Sequence, residues 1–374
     1  MIILNVELDN IYGFRNFRMN FSYPKKIVNS MIEEEWLAGR PNFRYKKAVV
    51  LMGANATGKT SLGKALMNIF SFIHNPIPPA DLWETVQIGE TGTFSIDFVN
   101  NDYVLHRVAG GIIPSNHSSG AWTLELQYAK TTIGLKDTYE MCAGRLAGSE
   151  KTTISDAFSE MKKAISGSSY IFSCPEVKPS ARIATVDKNH MLKVLKAVIG
   201  TLDPTLKDIS ISGDLRNAFI IRRGQEEIII QDGKLLNREV LSSGTAEGVD
   251  IAFFLALLLK GENGFYYCDE HFSYIQSDIE KRIFGLMLDN LAPMEQLIFT
   301  THNADMLDLN LPKHSFAFLR KEKESPYPIS VTFASELLKR NTDSVHCALE
   351  NDVFHSIPDD SLLNTLEKGY HNEQ

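Results

Sequence analysis

The chain has 374 residues, room for two to three domains at about 150 residues each or for one elaborated α/β domain. Hydrophobic residues make up 44% and charged residues 22%, which excludes wholesale disorder and fibrous classes. The formal charge is −8, from 38 basic and 46 acidic residues, so the average field repels nucleic acid and a DNA contact would have to come from a local basic patch.

In chain order, residues 2–8 and 17–21 alternate apolar and polar positions around Gly13 and read as a hairpin. Residues 48–52, Ala-Val-Val-Leu-Met, form a short continuous apolar run of the kind a sheet buries on both faces. Leu62, Leu66, Ile69, Phe70 and Ile73 recur at three- and four-residue intervals and predict an amphipathic helix. Three alternating stretches between residues 92 and 130 predict an antiparallel sheet. Residues 150–205 are more helical but broken by Pro175, Pro179 and Pro204. Strands return at 208–212, 218–222 and 227–230, followed by a helical run from Thr245 to Lys260. The apolar run 251–259 within it is less than half of what a bilayer-spanning helix needs. The first residues lack the pattern of a secretory signal, and Cys142, Cys174, Cys268 and Cys347 show no zinc or redox spacing. A cytoplasmic protein with no membrane partner is the expectation.

The chemistry-bearing residues stand at the ends of the apolar runs. Gly53, Ala54, Asn55, Ala56, Thr57, Gly58, Lys59 and Thr60, with Ser61 behind them, fit Gly-x4-Gly-Lys-Ser/Thr. In that pattern backbone amides wrap phosphates, the lysine reaches the β/γ oxygens and the Thr60 hydroxyl reaches Mg2+. Residues 265–268 run into Asp269 and Glu270; a carboxylate at a strand end can hold Mg2+, and one beside it can orient or deprotonate an attacking water. Asp269 lies 210 positions after Lys59 (269 − 59), far more than one βαβ unit of roughly 30 residues, which argues against a compact GTPase or kinase. Between them, Leu241-Ser242-Ser243-Gly244-Thr245 opens a helix, suited either to an anion or to simple N-capping. Residues 296–301 read as a buried strand with His302 just beyond its end, where an imidazole can meet a γ-phosphate or a water.

Taken in order, these four motifs resemble the ABC-type ATPase heads of SMC, RecF and RecN proteins. The resemblance implies an α/β P-loop NTPase fold: an ABC-type head with an antiparallel β subdomain and a short helical insertion. It divides the chain into an N-terminal lobe (1–130), an insertion (131–206) and a C-terminal lobe (207–374). It implies ATP and Mg2+ as cofactors and a nucleotide-dependent homodimer or higher homo-oligomer. By matching position, Lys59 and Thr60 bind triphosphate and metal, and Asp269 is the metal acid. Glu270 becomes the hydrolytic base, His302 the switch histidine, and Ser242, Ser243 and Gly244 the signature offered to the partner's phosphates. Residues 11–17 are similar to the family's opening hairpin, which makes Arg15 a nucleotide-binding candidate. Ser273 and Asp278 fall in the stretch corresponding to the dimer-facing loop, and Gln87 and Gln127 both remain candidates for the family's glutamine.

Within the superfamily the chain most resembles the AAA-family ATPases of prokaryotic anti-phage systems: abortive-infection and OLD types and the ATPase subunits of PARIS and Septu. Residues 241–248, 300–305 and 353–358 carry that likeness. Only 104 residues follow Glu270 (374 − 270), most of them taken up by His302 and the final strands and helices, so the expectation is a chain without an OLD-type nuclease of its own, and the resemblance then implies a separately encoded effector nuclease. An ATP-locked scaffold with negligible turnover and a RecF-like DNA-repair ATPase are the alternatives. The basic clusters Arg40/Arg44/Lys46/Lys47, Arg222/Arg223 and Arg320/Lys321/Lys323 keep DNA as a further candidate partner.

Overall fold

The computed structural model describes the chain apart from residues 29, 76–84, 88–89, 115–121, 149–153, 176–185, 207, 262–263, 325–326, 341, 359–362 and 364–374. In chain order, the N-terminal part contains β1 (Ile2–Asp9), β2 (Phe17–Asn20), β3 (Trp36–Leu37), β4 (Arg40–Arg44), β5 (Ala48–Gly53) and α1 (Lys59–His74). Then come β6 (Gly92–Val99), β7 (Val104–Pro114), β8 (Trp122–Thr132), α2 (Tyr139–Ala147), α3 (Ile154–Ala164), β9 (Ser169–Ser173) and α4 (Lys188–Leu202). A short antiparallel sheet follows, β10 (Asp208–Ile211), β11 (Ala218–Arg223), β12 (Glu226–Gln231) and β13 (Lys234–Leu235). The rest is α5 (Ser243–Lys260), β14 (Gly264–Asp269), α6 (Ser277–Asp289), β15 (Gln296–Thr300), β16 (Phe316–Lys321), β17 (Ile329–Phe333), α7 (Ala334–Leu337) and α8 (Val345–Glu350).

The central sheet has six strands in the order β17-β16-β5-β15-β14-β9. All neighbours are parallel except the β16–β17 hairpin. Its strands are apolar on both faces because both faces are covered. From β5, Val49 and Leu51 enter the core with α1 and the β1 sheet, while Ala48, Val50 and Met52 enter the core with α4, α5 and α6. The residues spaced three and four apart on α1, Leu62, Leu66, Ile69, Phe70 and Ile73, are all buried on the first of these faces. Gly63 lets that helix approach the sheet edge: a Cβ there would lie 2.2 Å from the Phe172 ring on β9.

The hairpin expected at the N-terminus pairs Asn5 with Asn20 and Leu8 with Phe17. It joins β6, β7 and β8 in one antiparallel sheet ordered β2-β1-β6-β7-β8. The proline-broken region 150–205 contains, besides its two helices, the strand β9, which the sequence reading treats as part of a helical stretch. β9 pairs in parallel with β14, Phe172 opposite Tyr267 and Ser173 opposite Cys268. Its short run, Ser-Tyr-Ile-Phe-Ser, has the β-branched and aromatic content of a strand but too few residues to show a period.

Candidate nucleotide site

Three parallel inner strands end side by side at the carboxyl-terminal end of the central sheet. Leu51 on β5 pairs with Thr300 on β15, which pairs with Asp269 on β14. Everything the sequence singles out on these three segments follows those positions in the chain, so the phosphate loop, the two acids and the histidine converge. Ligands of open α/β sheets bind outside the carboxyl ends of the strands, where this cluster stands.

The loop leaving β5 turns through Ala56 (φ 62°) and Gly58 (φ 96°) before α1 begins. Gly58 is required on two counts: a side chain would be strained at that φ, and a Cβ would sit 3.1 Å from both Phe14 and Ile329. Thr57 closes the turn by donating its hydroxyl to Ala54 O at 2.7 Å. Lys59, buried, donates to Gly53 O (2.7 Å) and Ala54 O (3.1 Å), and pairs with Glu270 Oε1 at 3.2 Å. Burial pulls its pKa down against the pull of Glu270 and Asp269.

Thr60 donates its hydroxyl to Asp269 Oδ2 at 2.6 Å, and Thr300 donates to Asp269 Oδ1 at 2.7 Å. The Thr60 hydroxyl and Asp269 carboxylate are a pair of hard oxygen donors that fits Mg2+. Burial holds the Asp269 carboxyl above its ordinary pKa, against the hydrogen bonds from Thr60 and Thr300, and a cation there would reverse that balance. Glu270 occupies a left-handed backbone conformation, φ 51°, held by its N–H to Thr300 Oγ1 at 3.0 Å. A non-glycine residue in that region marks a constrained position. Its Oε1 lies 3.0 Å from His302 Nε2 as well as 3.2 Å from Lys59 Nζ. The hydrogen bond from His302, followed by the charge of Lys59, lowers the Glu270 carboxyl to about 2.

Ser242, Ser243 and Gly244 make no described contact with this cluster. Ser242 caps α5, accepting from Thr245 N at 3.2 Å, and both serines are exposed. Gly244 abuts the loop after the acids: a Cβ there would be 2.7 Å from Tyr274 O. Ser273 in that loop donates to Glu270 O at 3.3 Å, while Asp278 lies exposed in the first turn of α6. Arg15 bonds Glu90 (2.5 Å) and Gln87 (2.8 Å), and it is its neighbour Phe14 that meets the phosphate loop. Of the two glutamines, Gln87 is thus tied to Arg15 and Gln127 lies on β8; β9, the strand that returns to the central sheet, ends at Ser173 and contains no glutamine.

The sequence reading misses Thr300 as the bridge between the acids. It also misses Tyr267, whose hydroxyl donates to Lys59 O at 2.5 Å and ties the first turn of α1 to β14. Thr300 carries a signal in hindsight, a hydroxyl one position before Thr301-His302, whereas an aromatic inside an apolar run carries none. The basic clusters are largely engaged in the fold. Lys46 and Lys47 are buried on backbone carbonyls, and Arg40 stacks on Tyr103. Arg222, Arg223 and Arg320 pair with Glu227, Glu226 and Glu322. Among the described residues no helix is long and apolar enough to cross a membrane.

No protein-family model and no curated protein matches the chain in sequence. Solved structures do match it in shape. An Smc head bound to the C-winged helix domain of ScpA superposes with a TM-score of 0.53 at 12% identity, over 90% of this chain and 100% of that one. The Smc head domain with a coiled coil and joint from Pyrococcus yayanosii gives 0.52 at 9% identity, over 90% and 98%. RecF, solved as RecF-ATPrS, gives 0.43 at 11% identity, over 88% and 98%. At such identities the likeness speaks for the fold alone, and the fold is that of the Smc head domains.

Proposed function

We propose that the chain is an ATPase that binds ATP with Mg2+ at the ends of β5, β14 and β15 and hydrolyses it when two copies close on the nucleotide. The observation that carries this reading is the meeting of Lys59 and His302 on one oxygen of Glu270, beside the Thr60–Asp269 pair. Lys59 and the loop amides bind the phosphates; Thr60 and Asp269 would hold the metal, which neutralises phosphate charge when bound. Glu270 orients the attacking water and accepts its proton. With its carboxyl held near 2 by His302 and Lys59, Glu270 is a weak base until phosphate oxygens draw His302 and Lys59 away from it, which raises its pKa. Ser242 of a second copy, exposed at the start of α5, supplies the remaining donors to the γ-phosphate.

Glu270→Gln tests the reading. Phosphate release should fall by about 100-fold or more while binding of a fluorescent ATP analogue persists. Turnover at the wild-type rate in that variant would overturn it.

We further propose, on the resemblance of residues 241–248, 300–305 and 353–358, that the ATPase senses infection and controls a separately encoded toxic nuclease in phage defence. Engagement of the basic clusters by carbonyls and acids weighs against a DNA-clamp role. A scaffold that needs ATP only to assemble would keep its function in Glu270→Gln, whereas the sensor would lose its triggering.

A further inference from the structure

We propose that Glu280 is a positioning residue for His302, fixing the histidine from both sides and linking it to the loop that follows the acids; the proposal rests on the ATPase reading above. β15 ends at Thr300, and His302 follows in a stretch with no regular hydrogen-bonding ladder, so side chains must specify where it stands. Glu280, on the first turn of α6 and 1% exposed, reaches both of its neighbours. Thr301 donates its hydroxyl to Glu280 Oε1 at 2.7 Å, and Asn303 donates its amide to Glu280 Oε2 at 2.7 Å. The same Asn303 amide reaches Ser277 Oγ (2.9 Å), Ser277 donates to Asp305 (2.6 Å), and Asn303 N returns to Thr301 Oγ1 (3.0 Å). His302 is therefore the free-standing member of a braced segment, with its ring 42% exposed and on Glu270.

Two donors converge on one buried carboxylate here, and buried charge-assisted hydrogen bonds are the strong ones. The loop of residues 271–276 joins Glu270 to α6, and its exposed Tyr274 (68%) lies against the signature glycine. A second copy pressing on this loop would displace the first turn of α6, and Glu280 would carry that movement to His302. The bracing network gives a local physical link between the face that meets a partner and the group that meets the γ-phosphate.

The test uses the full chain with histidine-labelled NMR spectra and phosphate-release kinetics on Glu280→Gln and Thr301→Val. A carboxamide has one acceptor oxygen, so the first variant keeps the volume but removes the charge and turns the Thr301 hydroxyl from donor to acceptor, while the second removes that hydroxyl altogether. The His302 resonance, assigned by its disappearance in His302→Ala, should shift or broaden in both variants, while His106 and His314, outside the network, stay in place. Turnover should fall about tenfold with KM nearly unchanged, and Glu280→Gln should cost nothing further in a His302→Ala background. An unmoved His302 resonance in both folded variants, or a loss that adds to that of His302→Ala, would overturn the role. If the wild type releases no phosphate, the ATPase reading fails, and the resonance alone still decides whether Glu280 positions His302.

Discussion

Glu270 is held from three sides, its N–H on Thr300 and one carboxylate oxygen between Lys59 and His302. Its place after a buried strand and an aspartate is legible from the chain, but its left-handed backbone, its N–H on Thr300 and its sharing between Lys59 and His302 depend on three strands that are distant in sequence. No spacing rule encodes that meeting. The lowered carboxyl carries a stability prediction. Folded Glu270 titrates near 2 against an ordinary value of 4.5, so its contribution is fully present above about 4.5 and is lost as pH falls toward 2. Across that window the denaturation midpoint of Glu270→Gln should fall less steeply than that of the wild type; parallel curves would mean that the pairing with His302 and Lys59 adds nothing to folding.

At the scale of elements, apolar patterning was sufficient: β5 and α5 stand where continuous apolar runs put them, and α1 and the β6–β8 sheet where apolar spacing does. β9 was illegible because five residues between prolines and helices cannot show a period, and its membership of the central sheet is set by packing on β14 and α1. Gly63 is the sharpest probe of that packing. In a helix, Gly→Ala ordinarily stabilises by about 0.5–1 kcal/mol. Here the new methyl would stand 2.2 Å from a Phe172 carbon and 3.0 Å from Tyr267, and overpacking of that kind costs about 1–3 kcal/mol. The overlap wins, so Gly63→Ala should lower stability in urea denaturation; a more stable variant would mean that β9 does not pack on α1 as described.

On the scale of the whole molecule, the proposed signature is the element that makes no described contact with the chain's own candidate site. Ser242 caps α5 and Ser243 opens it; both face solvent and make no described contact with the chain's own Lys59–Glu270–His302 cluster. The proposal that a second copy supplies the other half of the site comes from the motif order in the sequence; the fold agrees with it only in leaving these serines apart from that cluster. The central claim is that two copies complete the site, and mixing two inactive variants tests it most directly. Lys59→Ala lacks the phosphate lysine and Ser242→Arg lacks a usable signature, so each alone should release little phosphate. A mixed dimer, however, contains one site with an intact Lys59 from one copy and an intact Ser242 from the other. Phosphate release should reappear when the two purified variants are combined. A mixture as inactive as its components, with both variants folded and able to associate, or wild-type turnover by Ser242→Arg alone, would contradict the composite site.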